Sequence, residues 1–446
     1  MSYPSQSYAA ASSSQLERDV RQLSTRTQVD PGKIALGVII GRTSEFFDFF
    51  TYCIAAVIVF PRLLFPAYDP VTATLYSFAI FSLAFIARPA GSLLFMAVDR
   101  RYGRGAKLTV AMFLLGGSTV AIAFIPSYES AGVLGIYLLC AFRFAQGLAL
   151  GGAWDGLASL LALNAPQNRK GWYAMMPQLG APLGFIVAAG LFAYFLMTLS
   201  DADFIDWGWR YAFFVAFAIN VVALFARLRL VATTEFGHLL DQNELQAVRV
   251  TDTFKVHGRT ILLGAFLPLA SYALFHLVTV FPLSWVSLYT DHSVGRFLIV
   301  QLVGAVIGMG TIAASGIIAD RIGRRKLLGI CAVVIGLGSF AAPFLYEAGA
   351  IGEDIIVLGG FAILGLSFGQ AAGALASNFR QQYRYTGSAI TSDLAWLIGA
   401  GFAPLVALFL CDRFGLIMVG AYLLSGAICT LIALYFNKQM VETQAD

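Results

Sequence analysis

Twelve apolar runs, each long enough to cross a bilayer, leave this chain few options. A crossing helix needs about 20 predominantly apolar residues, and the runs lie at about 34–60, 71–97, 106–125, 131–153, 172–199, 209–230, 260–289, 296–319, 327–346, 354–377, 386–410 and 415–436. In hydrocarbon only helices and closed barrels satisfy their own backbone groups. Runs this long and this rich in Ala, Leu and Gly read as helices. Of the 446 residues only 12% are charged and the mean hydropathy is +0.76, against about 25% charged for soluble domains. The sequence therefore predicts an all-α membrane protein.

The widest polar gap, 231–259, holds Glu235, His238, Asp241, Glu244, Arg249, Asp252, Lys255 and Arg259. It divides the chain into a polar tail (1–33), a six-helix half (34–230), a central loop (231–259), a second six-helix half (260–437) and a short tail (438–446). Gln15 to Leu23 carries the pattern of a short amphipathic helix. With both termini on one side, 22 of the 29 Lys and Arg residues fall on that side. Only Arg62, Arg210, Arg296 and Arg413 fall on the other, and Arg42, Arg88 and Arg143 lie within spans. This asymmetry puts both termini in the cytoplasm. The five cysteines are scattered through apolar runs and form no Cys-x-x-Cys pair, so neither a metal site nor a disulfide framework is expected. No cofactor is expected, and no phosphate loop of the Walker type is present.

The halves repeat one another. Asp99-Arg-Arg-Tyr-Gly103-Arg follows the second run, and Asp320-Arg-Ile-Gly323-Arg-Arg follows the eighth. Arg169-Lys-Gly171, leading into Gly180-x-Pro182-x-Gly184, is echoed by Arg384-Tyr-Thr-Gly387, leading into Gly399-x-Gly401-x-x-Pro404. A six-plus-six repeat suggests a transporter whose halves rock about a midplane site.

Charges inside spans are costly and mark ion or substrate pathways by default. Gly41, Glu45, Asp48 and Tyr52, spaced by four, three and four, fall on one helical stripe, which is expected to face a cavity. Arg88 lies 11 residues from Asp99, roughly 16 Å along a helix, near the depth of Glu45 and Asp48. Arg143 sits at a similar depth. Burial and like charge raise a carboxyl pKa, whereas an adjacent Arg lowers it. Glu45, Asp48 and Arg143 are accordingly the proton-coupling candidates. The competing reading is structural: an Arg42–Glu45 pair at i,i+3, Arg88 as a fixed partner of Asp48, and Arg143 solvated by backbone carbonyls. Arg88 is the first candidate for an anionic substrate group, because a guanidinium binds carboxylates in bidentate fashion. Tyr52, His276, Asp393 and Trp396 are further substrate-binding candidates. For His276 a lone hydrogen-bonded histidine is the competing reading, and for Asp393 and Trp396 water-facing packing. Tyr272, Phe275, Tyr289, Gln301 and Gln370 could line the same site.

Gly316-Ile-Ile-Ala-Asp320-Arg321-Ile-Gly323-Arg324-Arg325 resembles the loop motif of the major facilitator superfamily at every defined position. Gly41-x-x-x-Glu45-Phe-Phe-Asp48-Phe-x-x-Tyr52, Arg88-Pro89-x-Gly91 and Arg143-x-x-Gln146-Gly147-x-x-x-Gly151-Gly152 resemble its metabolite:proton symporter branch, as do Trp207-Gly-Trp-Arg210 and Arg384-Tyr-Thr-Gly387. The resemblance implies proton-coupled symport of a small organic acid across a bacterial inner membrane by alternating access, with a monomer as the working unit. It implies a gating role for Asp99, Arg101, Gly103, Arg104, Gly316, Asp320, Arg321, Gly323, Arg324 and Arg325. Asp320 is expected to take hydrogen bonds from arginines and from the N-terminus of the helix that follows it. Several acids of the branch are absent: Ala153 follows Gly152, Asn164 stands for a glutamate, and Ser377-Asn-Phe-Arg380 stands for Glu-x-Phe-Pro. Two alternatives are carried forward, a zwitterionic osmolyte as solute and a sensor that binds without transporting. Partners are thus a small solute, protons and lipid, with no nucleic acid; a membrane-embedded enzyme lacks any nucleophile–base or metal constellation.

Overall fold

The computed structural model describes residues 31–153, 161, 165–231, 247–371, 379 and 383–437. The described residues are helical almost throughout and contain no strand. Ten stretches are long and apolar enough to cross a membrane. One of these, Pro70–Ile122, is two helices that meet at Gly103 (φ 84); they are α2 (70–102) and α3 (104–122). The first helix, α1 (Pro31–Ile58), carries Arg42, Glu45 and Asp48 and completes a set of twelve. The rest are α4 (Leu134–Gly152), α5 (Lys170–Thr198), α6 (Asp201–Leu228), α7 (Val250–Tyr289), α8 (Val294–Ile322), α9 (Arg324–Glu347), α10 (Ala350–Ala371), α11 (Arg384–Phe414) and α12 (Leu416–Phe436).

The repeat read from the sequence has a backbone cause. Gly103 and Gly323 both take a left-handed conformation, φ 84 and 87, which strongly favours glycine. Each turns the chain sharply between two antiparallel helices, although the spacing from the motif aspartate is four residues in one half and three in the other.

Helix α7 departs most from its expected limits. It begins at Val250, inside the stretch that polarity assigns to the central loop. Its first piece, Val250–Phe266, buries Thr253, His257 and Ile261 along one stripe, spaced i, i+4, i+8, while Asp252, Lys255 and Arg259 share the remaining surface. Mean hydropathy overlooks such an amphipathic extension. Farther on, α7 breaks near Pro268 and again at Val280, ahead of Pro282, because proline removes a backbone donor. Gln301 of α8 gives its amide N–H to the carbonyls of Val278 and Thr279 (2.9 and 2.8 Å) and satisfies that second break.

Within the first half, α2 and α4 lie backbone to backbone. A Cβ on Gly147 would stand 2.7 Å from the Cα of Ala84; small residues permit such approach and gain dispersion contacts over its length. The two halves meet along two main seams, α5 against α8 and α2 against α11. The tails, the 154–160 segment, Asn164, most of 231–249, Ser377 and Arg380 lie outside the described residues, as does the Gln15–Leu23 pattern.

Replacing Gly147 by Leu must push α2 and α4 apart. The expected loss is about 1–3 kcal/mol or more, read as a lower melting temperature of the detergent-solubilised protein, whereas Gly190→Ala, which meets nothing within 4 Å, leaves it unchanged.

Candidate functional site

Near mid-depth, α1, α2, α4 and α11 enclose a cavity of about 40 Å³ bordered by Arg42, Glu45, Phe46, Phe49, Phe85, Arg88, Arg143 and Trp396. It has room for roughly a few waters, against several hundred Å³ for a typical ligand pocket. Aromatic rings from both halves pack beside it. Phe50 of α1 stacks on Phe275 of α7 (5.4 Å between centroids), Phe85 of α2 on Trp396 of α11 (6.4 Å), and Trp396 on Tyr272 (4.4 Å). Phe46 also meets Phe368 of α10.

Glu45 is the best-paired carboxylate of the set. Arg42 Nη1 donates to its Oε2 at 2.7 Å and Arg227 Nη2 to its Oε1 at 2.6 Å. Arg227 enters from α6, passing directly over Gly41, where any Cβ would collide with the guanidinium. That contact explains why the stripe begins with glycine.

Asp48 has a different environment. Thr119 Oγ1 of α3 donates to Oδ1 in a short bond, and Gln146 Nε2 of α4 approaches Oδ2 at 3.5 Å while also donating to Thr119 at 2.9 Å. No ion pair reaches Asp48 among the described residues. Arg143 is equally buried. Its Nε donates to the carbonyl of Phe81 and its Nη1 to Oε1 of Gln146, both at 3.1 Å. Its guanidinium lies 4.0 Å above the Tyr52 ring and 4.8 Å from that of Phe81, a cation–π sandwich. Gln146 thus joins Arg143 to Asp48 through one amide.

These contacts correct the expected partners. Arg88 pairs neither with Asp48 nor with Glu45. Its Nε donates to Oδ1 of Asp393 at 2.7 Å, across the seam to α11. Only part of the first-helix stripe faces the cavity: Glu45 borders it, while Asp48 turns into the first half against α3 and α4 and Tyr52 against α2 and α4. Tyr52 is buried at 0% exposure with its hydroxyl unpaired, away from the cavity wall. His276 is not hydrogen-bonded: neither ring nitrogen has a partner among the described residues, and it is enclosed by Phe49, Phe81 and Phe275. Asp393 and Trp396 do reach the first half, rather than facing water, through Arg88 and Phe85.

At the end of the bundle where the basic motif residues gather, Asp320 crosses to the other half. Its carboxylate accepts the backbone N–H groups of Gly171 (2.6 Å) and Trp172 (3.1 Å) in the first turn of α5. The helix it caps is therefore α5, not the α9 that follows it in sequence. The close packing of Gly171 on Gly316, whose carbonyl a Cβ at 171 would meet at 2.8 Å, accounts for both glycines. Gln370 donates to the Gly171 carbonyl at 3.1 Å and accepts from Arg324 Nε at 3.2 Å, so it belongs to this latch and not to a solute site. Arg325 donates to the Asn437 carbonyl (3.2 Å), and Arg321 is exposed. The pseudo-equivalent Asp99 lies 3.5 Å from Lys107 Nζ and 3.9 Å from Arg104 Nε. Lys107 in turn donates to the hydroxyl of Tyr385 on α11 (2.7 Å), and Arg101 packs over Tyr102.

Two pseudo-symmetric six-helix bundles, a charged centre and paired motif latches call for comparison with known proteins. Residues 43–392 match the family model of the Major Facilitator Superfamily. The chain belongs to that superfamily. It is 37% identical to the inner membrane metabolite transport protein YhjE of Escherichia coli (strain K12), over 91% of this chain and 94% of that one. It is 30% identical to the shikimate transporter of the same organism, over 91% and 94%, and 27% identical to its proline/betaine transporter, over 94% and 85%. Among solved structures, the partially occluded inward-open xylose transporter XylE of E. coli superposes with a TM-score of 0.68 at 18% identity, covering 92% of this chain and 98% of that one, which shows the shared fold. The protein is thus a membrane-embedded transporter and not an enzyme.

Arg227, Thr119 and Gln146 were not among the sequence candidates. Arg227 stands near the end of an apolar run, where it reads as a flanking positive residue. The signal that finds it is the charge balance, since Glu45 is buried and Arg42 alone leaves one carboxylate oxygen unmatched. Removing one partner of a buried pair costs about 3–5 kcal/mol. Arg227→Met is therefore expected to lower the melting temperature sharply, and Arg227→Met with Glu45→Gln to recover most of the loss, as read from a thermal double-mutant cycle.

Proposed function

We propose that this transporter imports a small organic anion together with protons by alternating access, with both termini cytoplasmic in a bacterial inner membrane. The observation that carries the solute reading is the cavity wall. Among the described residues three guanidinium groups (Arg42, Arg88 and Arg143) border it with a single carboxylate, Glu45, whose two oxygens are both engaged by arginines. A planar, delocalised guanidinium matches a carboxylate better than any other side chain, and the charge of Glu45 is already offset by two arginines, which weakens its attraction for a solute ammonium.

Asp48 supports the coupling. It is a buried carboxyl with hydroxyl and amide neighbours and no cation, joined to Arg143 through Gln146. A buried charge of this kind is costly unless it is neutralised, and proton binding is the neutralisation that a coupled transporter can use. Movement follows from the small size of the cavity. A cavity of about 40 Å³ is too small for an organic acid, so the helices that border it must shift to admit one, first from one side of the membrane and then from the other. The excess of Lys and Arg at the motif-bearing end supports placing that end in the cytoplasm.

A second reading has its own support. Phe46, Phe49, Phe85 and Trp396 border the same cavity, and aromatic faces receive quaternary ammonium groups. A betaine-type zwitterion could then place its carboxylate at Arg88 and its cationic head among these rings.

Reconstituted protein under an inward-directed proton gradient is expected to accumulate shikimate in preference to glycine betaine. The reverse preference would establish the zwitterion reading, and binding without accumulation of either solute would overturn coupled transport. Asp48→Asn is expected to retain solute counterflow but lose gradient-driven accumulation; unchanged accumulation would remove Asp48 from coupling.

A further inference from the structure

We propose that Asp393 is a positioning residue that holds Arg88 from the opposite half, so that the solute's carboxylate site is complete only when α11 is closed on α2. This rests on the reading of Arg88 as a contact for an anionic solute. Asp393 spends one oxygen on each of two α2 donors. Oδ1 accepts Arg88 Nε at 2.7 Å and Oδ2 accepts Ser92 Oγ, one helical turn further along, in a short bond. Ser92 also approaches the Gly151 carbonyl of α4 at 3.3 Å, which ties the arrangement to the close-packed α2–α4 pair.

Engagement through Nε leaves the other edge of the guanidinium available. Among the described residues no group accepts from the two Nη atoms of Arg88, and Arg88 borders the cavity beside Arg42 and Glu45. That Nη1–Nη2 edge is the fork that takes a carboxylate through two parallel bonds. A long, flexible arginine side chain loses rotamer entropy when it is ordered; a contact that orders it beforehand lets the solute bind without that cost.

The pair lies in the middle of a continuous seam. One turn from it on the same two helices Phe85 stacks on Trp396, and toward the basic end Lys107, at the start of α3, meets Tyr385 of α11. Arg88 is 13% exposed and Asp393 4%, so parting α2 from α11 strands both charges and also frees the guanidinium to change direction. Orientation of the anion donor and closure of the seam are therefore the same event.

Three substitutions separate positioning from charge. Asp393→Asn keeps an oxygen acceptor for Nε, Asp393→Leu removes it, and Ser92→Ala keeps the aspartate but drops one of its anchors. Shikimate serves as the probe in uptake assays. The distance between spin labels at Tyr102→Cys and Lys326→Cys, on exposed positions of the two halves, reports separation of the basic ends without any solute. Asp393→Leu is expected to raise the KM for shikimate by about tenfold or more, with a smaller change in maximal rate, and to add a longer-distance population. Asp393→Asn should stay within about threefold of the native protein in KM and keep its distance distribution, and Ser92→Ala should fall between. The proposal is overturned if Asp393→Asn shifts both readouts as far as Asp393→Leu does, or if Asp393→Leu leaves the distances unchanged. Should the unsubstituted protein transport no carboxylate, the anion reading falls, and the solute-free distances alone decide whether Asp393 ties Arg88 across the seam.

Discussion

The bidentate trapping of Glu45 between Arg42 and Arg227 organises the charged centre. In a bilayer an unpaired ionised side chain is too costly to leave in place, so each in-span charge must find a partner or a polar nest. Glu45 consumes two guanidinium groups, one on each oxygen. Around it, among the described residues of the first half, stand the arginines Arg42, Arg88, Arg143 and Arg227 and the acids Glu45 and Asp48. Arg143 settles onto aromatic faces, a carbonyl and Gln146. Arg88 crosses to Asp393 of the other half, although Asp48 in its own half takes no ion pair among the described residues. The halves are thus joined at mid-depth by an ion pair between Arg88 of one and Asp393 of the other.

The seams that flank this centre differ in chemistry. Between α5 and α8 the contact is a carboxylate capping two backbone N–H groups of a helix N-terminus, where the helix dipole adds to the hydrogen bonds. Where α2 and the start of α3 meet α11 it is a ladder of side-chain pairs, Phe85–Trp396, Arg88–Asp393 and Lys107–Tyr385. The first can be released and remade with little side-chain rearrangement, since the partner is backbone. The second changes which groups face the cavity each time it parts. An alternating-access cycle thus has one seam suited to latching and one suited to reporting what occupies the centre.

Depth along a helix is legible in a sequence, because each residue advances a fixed 1.5 Å. Counting placed Arg88, Arg143, Glu45 and Asp48 at one level, and they do meet the same small region of the structure. Azimuth is less legible. The Gly41–Tyr52 stripe reads as facing one cavity, yet α1 is surrounded by protein on nearly every side, so Glu45 meets the cavity while Asp48 meets α3 and α4 and Tyr52 meets α2 and α4. The same limit applies to Asp320, whose nearest helix in sequence is α9 but whose acceptor oxygens found α5. The amphipathic start of α7 at Val250 was hidden for a different reason: its buried stripe is one residue in four and vanishes in an average over the window.

Composition, periodicity and the two loop motifs by themselves determined an all-α membrane protein of twelve helices in two repeated halves, with charges at mid-depth in its first, second and fourth helices. They did so because hydrocarbon allows only self-satisfied helices of a set length, and because Gly103 and Gly323 mark turns that other residues resist. Only the tertiary structure decided the pairing: Glu45 with Arg42 and Arg227, Asp48 with Thr119 and Gln146, and Arg88 with Asp393. Pairing depends on the rotation and packing of helices distant in sequence. A shift of one residue turns a side chain by about 100°, enough to exchange one partner for another without changing any pattern the sequence displays.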